Sequence, residues 1–233
     1  MYYGIVIADD MEYAPLADYA KTCPGFVEDV FHGRPSVTFL SEKGSSVRAV
    51  YSGVGKVNAA ATTAFLIADG VDIILNSGMS GALNGDATGR LILAESAFEA
   101  DVDLTVLGYK EFEKPKQEYV YHTDERVLRL AEEALPDARV APVCCGDLFL
   151  TDRSRGEYLY NSYGAEAFDM ESGAVASVCF QCGIPFVILR QISDGADENT
   201  VATYRQNNEH SLHVHLMADI HCINRFDGEK ESF

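Results

Sequence analysis

The segment from Ser172 to Leu189 limits the possible folds of this chain more than any other. Residues 172–181 are small and apolar, Gly183 follows them, and residues 185–189 are a continuous apolar run. This pattern predicts a packed helix that ends at a glycine and leads into a buried strand. Because a buried helix followed by a buried strand is typical of βαβ units, we predict an α/β fold.

The carboxylates of Glu171 and Asp194 flank this segment. Asp169-Met170-Glu171 precedes the predicted helix, and Asp194 follows the predicted strand within the polar run 190–197. Asp194 therefore leaves the carboxyl end of a strand, where ligands of open α/β sheets bind. Either acid alone is explained as a solvated helix start or a turn residue, but two such acids are what cleavage of a glycosidic bond requires.

The size and composition of the chain favour one domain. Its 233 residues are 47% hydrophobic and 23% charged, which suits a single α/β domain with a large core. We predict one domain over residues 1–226 and a loose tail over residues 227–233.

The net charge of -18 argues against a nucleic-acid partner, because neutralising a phosphate backbone takes clustered Lys and Arg. Anionic membranes are poor candidate partners for the same reason.

No basic leader or apolar run of about 18 residues is found, and the six cysteines are expected to be reduced. A cytoplasmic protein is therefore predicted. Cys179-x-x-Cys182 is interpreted as core packing. The histidines of the last helix are interpreted as a polar face, so no metal is predicted; they are His210, His213, His215 and His221.

Glycines follow two of the remaining predicted strands. Gly53-x-Gly55 precedes a helix over residues 57–68, and the strand 72–76 is followed by the glycine-bearing segment 77–82, predicted to be a loop. Such loops allow backbone N–H groups to approach a ligand. Further strands are predicted at residues 4–8, 37–40, 47–51, 91–97, 104–107 and 140–145, and an amphipathic helix at residues 124–135.

Six motifs occur together in the order of one family: Gly4-Ile5-Val6 with Glu12, Ser52–Val57, Asn76-Ser77-Gly78, Cys145–Phe149, Asp169-Met170-Glu171 and Arg190–Asp194. In these motifs the chain resembles the 5'-methylthioadenosine/S-adenosylhomocysteine nucleosidases of the nucleoside phosphorylase superfamily, from residue 4 to about residue 220. The resemblance implies a three-layer α/β/α fold around a central mixed, partly barrel-like sheet. It also implies a homodimer whose partner subunit closes the sulfur end of the pocket, an adenine nucleoside as substrate, and no cofactor.

The resemblance assigns the catalytic residues. Asp194, oriented by Ser193, would protonate N7 of the departing adenine and must therefore carry a proton when substrate binds. Glu12 would take a proton from the attacking water. Glu171 would bind the ribose hydroxyls and stabilise the oxocarbenium-like charge.

The resemblance also assigns residues that bind substrate. Met170 would pack under the sugar, and Arg190 would hold the acids in place. Phe149 would stack on adenine, although its position past a strand fits a core residue equally well. The backbone of Leu150 would recognise the edge of adenine, and Tyr204 would cover the pocket.

Four positions depart from the family pattern around the ribose and the 5'-substituent. Met79 replaces a small residue, Asp9 a Met, Leu107 a Phe and Asp169 a Glu. The sequence therefore predicts N-ribosyl hydrolysis more firmly than it predicts the 5' group. Asp9 either favours a polar 5' group or stabilises the start of the first helix.

Three alternatives stay open from the sequence. A phosphorolytic enzyme would need cations for phosphate, but the position of Asn76 is neutral and Glu12 would repel the anion. A nucleoside-binding protein without turnover shares the fold, and 6-amino-6-deoxyfutalosine shares the adenine and ribose of the expected substrates.

Overall fold

The computed structural model of the protein describes residues 1–85, 88–196 and 214–232. Ten strands form one mixed sheet across the described residues. The strands are β1 (Tyr2–Ile7), β2 (Val27–Phe31), β3 (Arg34–Leu40), β4 (Ser46–Tyr51), β5 (Ile73–Ala82), β6 (Leu91–Glu99), β7 (Val120–His122), β8 (Arg139–Cys145), β9 (Ala167–Asp169) and β10 (Phe186–Asp194). The helices are α1 (Asp10–Ala20), α2 (Lys56–Ala68), α3 (Glu125–Ala134), α4 (Arg153–Tyr163), α5 (Ser172–Cys182) and α6 (214–226).

Half of the sheet closes into a barrel. β5 pairs with both β9 and β10, and the pairs β10–β6, β6–β8 and β8–β9 complete the ring. β1, β4, β3 and β2 extend from β5 as an open sheet. The predicted mixed, partly barrel-like sheet is confirmed.

Helices cover both faces of the sheet. Ile73 and Leu75 of β5 pack in a core with residues of α1, α3 and α6, whereas Ile74 packs in a second core with residues of α2 and α5. Side chains alternate between the faces of a strand, so a continuous apolar run serves both cores. This arrangement is the predicted α/β/α layering.

Helix α5 forms as predicted. Its small residues run from Ser172 to Cys182, and Gly183 ends it with a φ of 68°, a left-handed conformation that glycine adopts at little cost. A Cβ on Gly173 would lie 2.8 Å from the carbonyl oxygen of Phe98, so the small residues let this helix approach the sheet closely. Cys179 is buried as predicted, but Cys182 is exposed and does not belong to the core.

The prediction of a loop over residues 77–82 is wrong, because β5 continues to Ala82. Gly78, Met79 and Ser80 pair with consecutive residues of β10. A Cβ on Gly78 would lie 2.8 Å from Nη1 of Arg190 and 2.9 Å from Oε2 of Glu12. Gly78 is thus required for close approach within a strand rather than for a turn.

Three further predictions are corrected. Residues 104–107 are not a strand; Thr105–Leu107 is a 3₁₀ helix in which Val106 is 91% and Leu107 69% exposed. His215 is buried and not part of a polar face, while His210 and His213 lie outside the described residues. The predicted loose tail begins with a short 3₁₀ helix, Asp227–Ser232, and Asp227 is buried, where it accepts a hydrogen bond of 3.0 Å from the Tyr3 hydroxyl.

Each helix within the described ranges is too short or too polar to cross a membrane.

Candidate active site

The carboxyl ends of the parallel strands β1, β5 and β10 open onto one cavity of about 220 Å³. This position is the one expected for a ligand site in an α/β sheet. The cavity is lined by Ala8, Asp9, Glu12, Val54, Met79, Ser80, Gly81, Leu148, Phe149, Leu150, Phe168, Asp169, Met170, Glu171, Ser193, Asp194 and Ala196.

Most residues predicted for the site meet in this cavity. The predicted residues that line it are Glu12, Met79, Phe149, Leu150, Asp169, Met170, Glu171, Ser193 and Asp194. Arg190 does not line the cavity but contacts Asp169 from within the protein. Leu107 is exposed and does not line it either. Tyr204 lies outside the described residues.

Glu12 enters the cavity from the first turn of α1. Asp9 caps this helix: its Oδ1 accepts a hydrogen bond of 2.8 Å from the N–H of Met11. Asp9 also lines the cavity. The N–H of Met79 donates to Oε1 of Glu12 at 2.7 Å. Burial, helped by the nearby Glu171 carboxylate, raises the pKa of Glu12 to about 8 against the opposing effects of the Met79 N–H and Arg190.

Glu171 lies between β9 and α5 and reaches the glycine-rich loop. The N–H of Gly55 donates to Oε1 of Glu171 at 2.9 Å. Gly55 has a φ of 99°, which only glycine adopts without strain, and the loop was predicted to bring N–H groups to a ligand. In the structure the N–H of Gly55 binds the Glu171 carboxylate instead. Burial raises the pKa of Glu171 to about 7, while Arg190 acts in the opposite direction.

Asp194 is the last residue of β10 and is only 2% exposed. Oδ1 accepts a hydrogen bond of 2.9 Å from the N–H of Ala196, and Oδ2 lies 2.7 Å from the Ser193 hydroxyl. That hydroxyl also lies 3.3 Å from the carbonyl oxygen of Ser80. Because a serine hydroxyl carries one proton, Ser193 donates either to Asp194 or to the carbonyl of Ser80, and the shorter contact is the one to Asp194.

Arg190 holds the carboxylates from the interior. Its Nε lies 3.0 Å from Oδ2 of Asp169, and its Nη2 donates to the side-chain oxygen of Asn76. The other oxygen of Asp169 accepts hydrogen bonds of 2.7 Å from the N–H groups of Glu171 and Ser172, at the start of α5. Asp169 thus joins the guanidinium to the segment that carries Glu171.

Two cavity residues of β5 did not follow from the motifs. Ser80 lines the cavity, and its buried hydroxyl has no hydrogen-bond partner in the described part of the chain. Gly81 lies so close to Asp194 that a Cβ would come within 3.0 Å of Oδ1. Both follow Gly78 in β5, which was predicted to end at residue 76. A strand predicted to continue to residue 82 would have placed them beside β10.

The described residues contain no group of three or more His, Cys, Asp or Glu that could hold a metal ion. That the reaction needs no metal or cofactor stays a prediction.

Comparison with known proteins assigns the family. The profile described as the phosphorylase superfamily matches residues 2–216. A 5'-methylthioadenosine/S-adenosylhomocysteine nucleosidase of Lysinibacillus sphaericus is 32% identical over 166 residues, which are 68% of this chain and 72% of the relative. The chain belongs to this family of nucleosidases. Members of the family are N-glycosyl hydrolases, as the resemblance in the sequence implied.

Solved structures of the family share the whole fold. A Helicobacter pylori nucleosidase of the same name, complexed with an aminopyrrolopyrimidine joined to a thioether-bearing pyrrolidinol, has a TM-score of 0.90 at 27% identity and 96% coverage of this chain and 98% of its own. A futalosine hydrolase of H. pylori has a TM-score of 0.89 at 27% identity, with coverage of 96% and 97%. Proteins named for two different substrates therefore resemble this chain equally.

The raised pKa of Glu12 predicts how stability depends on pH. The folded state holds a proton on Glu12 that the unfolded state loses near pH 4.5, so the free energy of unfolding should fall as pH rises toward about 8. Glu12→Gln removes this titration. We expect wild type to lose on the order of 3 kcal/mol more than the variant between about pH 5 and about pH 8, measured by urea unfolding.

The matched control is Glu157→Gln, because the Glu157 side chain is 60% exposed. It should retain the pH dependence of wild type. An equal loss of stability in wild type and in Glu12→Gln would show that Glu12 is ionised in the folded protein throughout this range.

Proposed function

We propose that the protein hydrolyses the N-glycosidic bond of adenine nucleosides, releasing adenine and the free ribosyl sugar. One observation carries the proposal: Glu12, Glu171 and Asp194 come from three separate elements and line a single cavity. Candidate substrates are 5'-methylthioadenosine, S-adenosylhomocysteine and 5'-deoxyadenosine. Glycosidic cleavage places positive charge on the ribose and negative charge on the departing base, so it needs groups that stabilise both.

Asp194 is proposed as the general acid at N7 of adenine. Its two oxygens are held by the N–H of Ala196 and the hydroxyl of Ser193, which fixes the plane of the carboxyl group. The acid role requires Asp194 to carry a proton when substrate binds, and the Ser193 hydroxyl can accept that proton while it donates to the carbonyl of Ser80. Proton transfer to N7 makes the leaving base neutral.

Glu12 is proposed as the base that activates water. A pKa of about 8 lies near neutral pH, where a general base is most effective because it is both available and strong enough to take a proton. Glu171 is proposed to bind the ribose hydroxyls and stabilise the oxocarbenium-like charge. The N–H groups of Met79 and Gly55 hold the two carboxylates in place before substrate binds.

The charge of the cavity supports water, not phosphate, as the nucleophile. Five carboxylate residues and no Lys or Arg occur among its described lining residues; the acids are Asp9, Glu12, Asp169, Glu171 and Asp194. Arg190, the described cation that acts on Glu12 and Glu171, is already paired with Asp169. An incoming phosphate would therefore meet repulsion from those acids that are ionised, and no Lys or Arg among the described lining residues would offset it.

Futalosine-type nucleosides form a second candidate class, supported by the fold shared with the futalosine hydrolase. Asp9 and Met79, two departures from the family pattern around the ribose and the 5'-substituent, both line the cavity. The first experiment should therefore compare several 5' groups rather than one.

We expect adenine release without phosphate. The assay uses 5'-methylthioadenosine, S-adenosylhomocysteine, 5'-deoxyadenosine, adenosine and 6-amino-6-deoxyfutalosine, each with and without phosphate, with products separated by chromatography. Free sugar in phosphate-free buffer, at an unchanged rate when phosphate is added, is the expected result. Formation of a sugar phosphate would make the protein a phosphorylase, and binding without turnover of any substrate would make it a nucleoside-binding protein.

Asp194→Asn should lower kcat by roughly two to four orders of magnitude, because an amide cannot donate the required proton. Equilibrium binding of 5'-methylthioadenosine should remain measurable, since the amide keeps the size and most hydrogen bonds of the acid. Asp137→Asn is the control on an exposed aspartate away from the cavity and should leave kcat unchanged. Near wild-type turnover in Asp194→Asn would remove Asp194 from the acid role.

A homodimer is proposed to complete the site. Val54 and Val57 are exposed at the start of α2, and Val106 and Leu107 are exposed in the 3₁₀ helix. The ion pair of 2.6 Å between Lys56 and Asp101 joins these two segments next to the cavity. Apolar residues exposed around a site are typical of a protein interface.

Val106→Glu tests this interface, since a charge buried between subunits would disfavour association. We expect a dimer of the wild type and a monomer of the variant by light scattering, with reduced adenine release from the variant. Val30→Glu is the control, because Val30 is 73% exposed on β2 at the far edge of the sheet. A monomeric wild type at micromolar concentration would contradict the proposal.

The cytoplasmic location remains a prediction from the sequence. It is consistent with the buried free thiols of Cys144, Cys145, Cys179 and Cys222.

A further inference from the structure

Asp219 of helix α6 is a buried carboxylate that the mechanism above does not use. It has no exposed surface, and it is not among the residues that line the cavity. Its Oδ2 accepts a hydrogen bond of 2.6 Å from the Ser77 hydroxyl. Its Oδ1 has no hydrogen-bond partner in the described part of the chain.

A buried carboxylate with one unsatisfied oxygen is costly, and such a group is retained where the protein uses it. Arg190 is the cation whose charge acts on Asp219. The same guanidinium pairs with Asp169 and acts electrostatically on Glu12 and Glu171. Asp219 therefore shares one positive charge with three acids of the cavity.

Ser77 connects Asp219 to Glu12 by a second route. The next residue along β5, Gly78, lies against both Arg190 and the Glu12 carboxylate. The following residue, Met79, donates its N–H to Glu12. Helix α6 thus holds, through one hydrogen bond, the stretch of β5 on which Glu12 rests.

We propose that Asp219 is a positioning residue for the hydrolytic reaction, which through Ser77 and Arg190 sets the charge state and the placement of Glu12. The inference rests on the proposed function, because it assigns Glu12 as the base. Asp219 touches no substrate and acts only through these two residues.

The electrostatic part of the proposal has a definite sign. Four acids surround Arg190: Glu12 from α1, Asp169 from β9, Glu171 after β9, and Asp219 from α6. The thiol of Cys222 lies near Asp219. Burial raises the pKa of Asp219 to about 7, while Ser77 and Arg190 act in the opposite direction. Asp219 therefore gains charge in the same pH range as Glu12.

An ionised Asp219 offsets the positive charge of Arg190 and so reduces the stabilisation that Glu12 receives when it ionises. Asp219→Asn removes that charge and keeps an oxygen that accepts from Ser77. Glu12 should then lose its proton at a pH lower by roughly half a unit to one unit. The acid limb of kcat/KM should shift in the same direction, with KM little changed.

The test follows Glu12 directly, without turnover. Isotope-labelled glutamate carboxyl NMR of the full chain is recorded as a function of pH, and Glu12→Gln identifies the Glu12 resonance. Wild type, Asp219→Asn and Ser77→Ala are compared. Ser77→Ala keeps the carboxyl group of Asp219 but removes its only hydrogen-bond donor among the described residues. This change raises the pKa of Asp219 and should lower the titration midpoint of Glu12 by a smaller amount than Asp219→Asn does.

The outcomes separate the inference from the proposed function. A lower titration midpoint of Glu12 in Asp219→Asn, or in Ser77→Ala if the first variant does not fold, supports the positioning role. An unchanged midpoint in a folded variant overturns it, whatever the change in melting temperature. Failure of wild type to release adenine overturns the proposed function instead. The NMR titration of Glu12 still shows whether Asp219 and Glu12 are coupled.

Discussion

The buried guanidinium of Arg190 is the constraint on which the site depends. It pairs with Asp169 and acts on Glu12, Glu171 and Asp219, all of which are buried. Apolar residues in these positions would satisfy the fold at least as well, since buried ion pairs rarely add net stability. One cation among several acids leaves some of them protonated near neutral pH, and a hydrolase needs acids in different protonation states within one cavity.

Backbone N–H groups fix the orientation of the three carboxyl groups in the cavity. Glu12 is held by Met79, Glu171 by Gly55 and Asp194 by Ala196, and these donors belong to three separate segments. Main-chain donors cannot rotate away, so each carboxylate keeps its orientation when the cavity fills. The glycines at positions 55, 78 and 81 permit this arrangement by their left-handed conformation or by the absence of a Cβ.

The sequence predicted the layers of the fold and most residues of the cavity, because apolar runs mark buried elements and family motifs mark the acids. It did not predict the end of β5, since glycines and serines in residues 77–82 have the composition of a loop, and only pairing with β10 makes them a strand. The exposed Val106 and Leu107 imitate a strand because apolar residues are expected to be buried. Asp219 carries no local signal: its environment is built by β5 and β10, which are far from it in sequence.

The residues that line the cavity differ in how deeply the fold buries them. Glu12, Glu171 and Asp194 are nearly inaccessible to solvent, whereas Leu148 and Phe149 at the rim are about as exposed as ordinary surface residues. Moving a buried acid would disturb the sheet, but replacing a rim residue would not, so the reaction is tied to the fold and the choice of substrate is not. This division explains how one fold carries a nucleosidase and a futalosine hydrolase at equal similarity to this chain. Substrate preference therefore has to be sought among the less buried residues that line the cavity, such as Asp9.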